Sequence, residues 1–185
     1  MQRLVPSQSL VAVIDIQERL AAAMPPERMS GVTHNVDVLL AAAHLLGVPV
    51  IATEQYPKGL GSTIPGVAQK LGAVGAPTLE KTAFSASDVP EFVGKLETAG
   101  PKAIIVVGME AHVCVYQTVR DLVNRGFEVH VPIDAVVSRR EEDRLTGIAL
   151  CERSGAVRTT TETVVFDWLQ RAGTDTFRAI SKLVR

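Results

Sequence analysis

The chain has 185 residues, enough for one domain over residues 1–185 with a real core. Hydrophobic residues make up 46% and charged ones 21%, and the net charge of −1 excludes a strong electrostatic pull toward nucleic acid or anionic membrane. No apolar run approaches the roughly 20 residues that span a bilayer, Met1–Pro6 lacks a signal-peptide core, and Cys114 and Cys151 form no C-x-x-C pair, so the expected location is the reducing cytoplasm.

Short apolar runs alternate with helical periodicity along the chain. Leu10 to Ile14 reads as the first strand. Val36, Leu39, Leu40, Ala43 and Leu46 then recur at helical spacing, with Gly47 as the stop. Val48 to Ala52 is the second strand, and Thr78-Leu79 a short third one. Between them, Glu54 to Gly75 is rich in Gly and Pro and reads as an irregular substrate or interface loop. Pro90 opens a helix carrying Phe92, Val93 and Leu96, ended by Gly100-Pro101.

Ala103 to Val107 is continuously apolar, as expected of a strand covered on both faces. Val115, Tyr116, Val119, Leu122 and Val123 form the inner face of the next helix, closed by Gly126. Phe127 to Val131 is a fifth strand. Leu145, Ile148 and Ala149 mark a helix ended at Gly155, and Ala156 to Thr159 a sixth strand. Helical segments from Thr161 to Leu169 and around Phe177 to Leu183 finish the chain. This alternation predicts an α/β fold: a three-layer, doubly wound parallel sheet in the order 3-2-1-4-5-6, with helices on both faces. Ligands bind such sheets at the carboxyl ends of the strands where the order reverses, here between the first and fourth strands.

Three residues fall on that rim. Asp15 follows the first strand, Cys114 follows the fourth, and Lys81 lies just past the third. Cys114 begins a helix, whose free N–H groups favour a thiolate, and Lys81 adds a cation beside it. Asp15 is then the base that takes the thiol proton, and helix-start N–H groups are donors for an oxyanion. Alone, each has a bland reading: Cys114 as core packing, Asp15 as a helix cap, Lys81 as a solvated cation. Their joint position favours chemistry. Cys151, mid-helix among apolar neighbours, reads as a core thiol. There is no G-x-G-x-x-G, Walker loop or G-x-S-x-G. His34, His44, His112 and His130 show no metal spacing, so neither metal nor cofactor is expected.

With these residues in view, the sequence resembles the isochorismatase-like, or cysteine hydrolase, superfamily. The matching stretches are Val13 to Gln17, Thr53 to Gly61, Lys81 to Ser85, Val107 to Val115 and Asp134 to Arg139, in order along nearly the whole chain. The branch of isochorismatase domain-containing proteins carries the same Thr-Glu-Gln-Tyr-Pro-Lys-Gly stretch. The resemblance implies a Rossmann-like hydrolase fold and a catalytic triad of Asp15, Lys81 and Cys114. It also implies a cis peptide at Met109–Glu110 that aims the N–H groups of Glu110 and Cys114 at the oxyanion. Gln17, Glu54, Tyr56, Phe84 and Tyr116 are the candidate lining of a substrate pocket.

Nicotinamidases of the superfamily hold a metal through Asp-x-His after the second strand; Thr53-Glu54-Gln55-Tyr56 stands there instead. Authentic isochorismatases cleave a vinyl ether and lack the nucleophilic cysteine. The expected activity is therefore metal-independent hydrolysis of a small amide or related C–N substrate through a Cys114 thioester. The alternatives are a non-catalytic binding or scaffold protein of the same fold and a vinyl-ether hydrolase. A homo-oligomer is expected from the resemblance and from the apolar segment Leu60 to Val74.

Overall fold

The computed structural model describes residues 3–184. In chain order the elements are β1 (Ser9–Ile14), α1 (Glu18–Ala22), α2 (Pro26–Leu46), β2 (Val50–Gln55), α3 (Pro57–Leu60), α4 (Pro65–Ala73) and β3 (Thr78–Lys81). They continue with α5 (Pro90–Ala99), β4 (Ala103–Met109), α6 (Tyr116–Asn124), β5 (Glu128–Pro132) and β6 (Val136–Val137), then α7 (Glu141–Arg153), β7 (Val157–Thr159), α8 (Thr161–Leu169) and α9 (Asp175–Ile180). The sheet is parallel, in the order β3-β2-β1-β4-β5-β7, with β6 paired to β4. This is the predicted order with one addition. The expected sixth strand is β7, and the two-residue β6 occupies the rim of β4 beyond Ile105, the last β4 residue paired with β5.

Alternation along the central strands sorts the core into two layers. Val11, Val13, Ile105, Val107 and Met109 pack with α2, α4, α8 and α9 residues such as Leu39, Val67, Val165 and Ile180. Leu10, Ala12, Ile14, Ile104 and Val106 pack on the other face with Phe92, Leu96, Val119, Leu122 and Ile148. All six residues of β1 are buried, which fits a strand central to the sheet.

Three expectations need correction. The strands run further toward their carboxyl ends than hydropathy shows: β2 to Gln55, β3 to Lys81 and β4 to Met109. The buried polar side chains there are hydrogen-bonded, Thr53 to Asp15 and Lys81 to Asp15 and Gln55, so burial leaves them satisfied. The stretch from Glu54 to Gly75 is not irregular, because it contains α3 and α4. Val67 and Leu71 of α4 are buried in the chain's own core, so its apolar character is no argument for an interface. On α7 the inner face is Gly147, Ile148 and Cys151, while Leu145 points outward at 52% exposure.

Candidate active site

Parallel register brings the strand ends level. Ile14 pairs with both Thr53 and Gly108, and Gln55 pairs with Lys81. Beyond Ile14 the chain bends sharply at Asp15, whose φ of 51° is left-handed, a region Asp tolerates better than most residues. The bend is held by Asp15 N–H donating to Thr53 O (3.1 Å) and Gln17 N–H donating to Asp15 O (2.8 Å).

The Asp15 carboxylate and the Lys81 ammonium form an ion pair of 2.6 Å, with both side chains fully buried. Lys81 Nζ also donates to Gln55 Oε1 (2.7 Å), Phe84 O (3.1 Å) and Ala83 O (3.3 Å). All three ammonium hydrogens therefore have acceptors, as a buried charge requires. Asp15 Oδ1 accepts a second bond, from the Thr53 hydroxyl at 2.7 Å.

Cys114 lies in one wide, π-helical turn, Ala111–Val115, that leads into α6. Glu110 O accepts from Val113 N (3.0 Å) and Val115 N (3.2 Å), closing the turn on the residue that follows the cis peptide Met109–Glu110. Two close approaches position this turn. A Cβ on Gly108 (φ 120°) would lie 2.0 Å from Ile14 O, so β4 passes β1 at a distance only glycine permits. A Cβ on Gly147 of α7 would lie 2.5 Å from Ala111 C and O, so α7 rests directly on the backbone of the turn.

The thiol differs from expectation. Burial pushes the Cys114 pKa up from 9.0 to about 12; Asp15 adds to the rise and Lys81 opposes it without offsetting it. Cys114 is 6% exposed, and removing a thiolate from water outweighs the attraction of one cation already shared with a carboxylate. The free protein thus holds a neutral thiol. Cys151, in the core as expected, is also pushed up to about 12 by burial.

The folded state holds both thiol protons more tightly than the unfolded chain does. Stability is therefore untouched by these groups below about pH 9 and falls as pH rises toward 12, by about 4 kcal/mol per thiol. Urea unfolding across this range checks it. The slope should shrink in Cys151→Ala, and an unchanged slope contradicts the assignment.

The predicted pocket residues divide. Gln17 is fully buried, and its amide is spent on backbone: Nε2 donates to Gln55 O (3.0 Å) and Gly61 O (2.7 Å), and Oε1 accepts from Gln55 N (2.7 Å). Glu54 Oε1 accepts from Thr63 N (2.6 Å) and Thr63 Oγ1 (2.7 Å). Gln17 thus ties the end of β2 and the segment after it to the chain leaving β1, and Glu54 ties that segment back to β2, rather than opening onto a pocket. Tyr56 and Phe84 are exposed and flank Lys81: Tyr56 N donates to Lys81 O (2.8 Å), and Phe84 supplies one of its acceptors. Tyr56 also lines a cleft of about 350 Å³ with Pro57, Lys58, Glu80, Lys81 and Thr82; neither Asp15 nor Cys114 is part of its lining. Tyr116 is half-buried beneath the Arg120 guanidinium, 5.6 Å from the ring centre.

The sequence singles out Glu110 for its N–H group alone; its carboxylate and the His112–Ser138 pair are rim features that it does not mark. Glu110, 7% exposed, accepts from Arg139 N (3.1 Å) and Arg139 Nε (3.0 Å), and His112 Nδ1 pairs with Ser138 Oγ (3.0 Å). Thr53 and Gln55 lay within the matched stretch, but their polarity hid them as strand residues. Among the described residues, no group of three or more His, Cys, Asp or Glu side chains is placed to hold a metal ion. No helix among them is long and apolar enough to cross a membrane.

Comparison with known proteins agrees with this architecture. The isochorismatase domain model matches residues 9–163. An isochorismatase domain-containing protein 2 from Danio rerio is 38% identical over 183 residues, covering 98% of this chain and 89% of that protein. A secreted isochorismatase effector, Isc1, from Phytophthora sojae is 37% identical over 186 residues, covering 99% of this chain and 87% of that protein. A solved structure described as a MAR1 ribonuclease from Caenorhabditis elegans superposes with a TM-score of 0.92 at 37% identity, covering 99% of this chain and 92% of that one. On these grounds the chain belongs to the isochorismatase family.

Proposed function

We propose that the protein is a metal-independent cysteine hydrolase that cleaves a small amide or related C–N bond. The observation that carries this reading is the meeting of Asp15, Lys81 and Cys114, from three different strand ends, in one buried cluster. The thiol is neutral at rest, so its S–H bond breaks as sulfur attacks the carbonyl carbon, and the proton passes to Asp15. The charge moves from carboxylate to sulfur and then to the carbonyl oxygen. Lys81 acts on both Asp15 and Cys114, so the same cation faces the charge before and after transfer. N–H groups of the turn beginning at Glu110, including that of Cys114, are the proposed donors to the oxyanion.

Collapse of the tetrahedral adduct breaks the C–N bond. The amine leaves with the proton held by Asp15, and a thioester remains on Cys114. Asp15 then takes a proton from water as hydroxide adds to the thioester, the C–S bond breaks to release the acid, and the departing sulfur takes back the proton from Asp15. The substrate is a small molecule rather than RNA: the net charge is −1, and the rim cations Lys81 and Arg139 are engaged by Asp15 and Glu110.

A screen of small amides and carbamoyl compounds should yield a substrate whose turnover falls at least about 10³-fold in Cys114→Ala. An acyl adduct on Cys114 in the wild-type protein, seen by mass spectrometry, accompanies it. Turnover that survives Cys114→Ala refutes the covalent mechanism and favours direct hydrolysis such as vinyl-ether cleavage. A folded protein with an inert Cys114 and no substrate favours a binding role.

A further inference from the structure

We propose that Thr53 is a positioning residue for Asp15, orienting the carboxylate that receives the Cys114 proton. The inference rests on the reading of Asp15 as proton acceptor. Thr53 Oγ1 donates to Asp15 Oδ1 at 2.7 Å, while Lys81 Nζ donates to Asp15 Oδ2 at 2.6 Å. One bond to one oxygen leaves a carboxylate free to turn about its Cβ–Cγ axis. Two donors on separate oxygens remove that freedom, because any turn lengthens both bonds.

Thr53 is itself anchored on both sides. It is 1% exposed within β2, paired in register with Ile14 and Leu79, and its carbonyl accepts the Asp15 N–H at 3.1 Å. One residue therefore fixes both the backbone bend at Asp15 and the plane of its side chain. Proton transfer depends steeply on donor–acceptor alignment, so a carboxylate held only by Lys81 accepts the thiol proton in a smaller share of encounters. The bland alternative is that Asp15 merely satisfies a buried hydroxyl. Such a role affects stability but not the reactivity of Cys114 in folded protein.

The test uses iodoacetamide, which needs no natural substrate. As the C–S bond forms, the C–I bond breaks, iodide leaves with its electron pair, and the thiol proton passes to Asp15. Mass spectrometry follows modification of Cys114, with buried Cys151 as the internal comparison. Thr53→Val keeps the shape and removes the hydroxyl; Thr53→Ser keeps the hydroxyl. In folded Thr53→Val the Cys114 rate should fall on the order of tenfold relative to Cys151, and Thr53→Ser should recover most of it.

With a substrate in hand, kcat should follow the same order while KM stays within about twofold. An unchanged Cys114 rate in Thr53→Val, or equal losses in Val and Ser, overturns the inference. Asp15→Asn separates the two levels. If it leaves the Cys114 rate intact, Asp15 is not the acceptor and the underlying reading fails. If it slows Cys114 while Thr53→Val does not, only the role of Thr53 is lost. Should Thr53→Val not fold, Thr53→Ala against Thr53→Ser makes the same comparison.

Discussion

Lys81→Met should destabilise the protein by about 3–5 kcal/mol and abolish hydrolysis. The substitution fits the volume of the lysine stem but strands the Asp15 carboxylate with Thr53 as its remaining side-chain donor, in a site neither partner of the ion pair exposes to solvent. An unpaired buried charge carries a desolvation cost that the lost attraction no longer offsets. For a chain of this length that corresponds to a fall in Tm of roughly 10 °C. Asp15→Asn removes the stranded charge, so the double variant Asp15→Asn/Lys81→Met should be less destabilised than the sum of the singles. Calorimetry on the four proteins checks this. Strict additivity would mean that the two side chains do not act as a pair.

Gly147→Ala should damage the site from a helix that carries none of the proposed catalytic groups. The new methyl would sit 2.5 Å from Ala111 C and O and 2.6 Å from His112 N, all of them backbone atoms. Backbone cannot swing aside as a flexible side chain does, so α7 or the Ala111–Val115 turn must move. Overpacking of this kind costs about 1–3 kcal/mol, and displacing a nucleophile by about 1 Å costs on the order of a hundredfold in rate. Gly94→Ala in α5 is the control. Nothing lies within 4 Å of its Cβ, so it should gain about 0.5–1 kcal/mol and leave activity unchanged. Equal behaviour of the two variants in melting and turnover would remove Gly147 from the account.

The raised thiol pKa alters how the site is to be understood. A thiolate stabilised at rest by a helix start and a lysine is the arrangement that residue types alone favour. In the folded protein, desolvation and the nearby carboxylate outweigh those effects and keep the sulfur protonated. Under the proposed mechanism Asp15 thereby becomes more important, since attack and deprotonation must coincide. The carboxylate is correspondingly well held, with donors on both oxygens and a backbone bend shared with Thr53.

Hydrophobic periodicity determined the layers, because strands covered on both faces, such as Ala103 to Val107, must be apolar throughout. Helix stops at Gly47 and Gly100 were legible as well, since both residues adopt the left-handed conformation that ends a helix. Strand order followed from crossover handedness, and it placed Asp15, Lys81 and Cys114 on one rim. Tertiary structure alone decided what those residues experience. Hydropathy ended β2 at Ala52, because Thr53 and Gln55 are polar, yet both lie in the strand with their side chains bonded to Asp15 and Lys81. Gln17 read as a pocket residue until its amide proved to be spent on the backbone of Gln55 and Gly61. The state of the thiol depends on how much water its surroundings exclude and on which charges stand beside it, and those are properties of packing across distant parts of the chain.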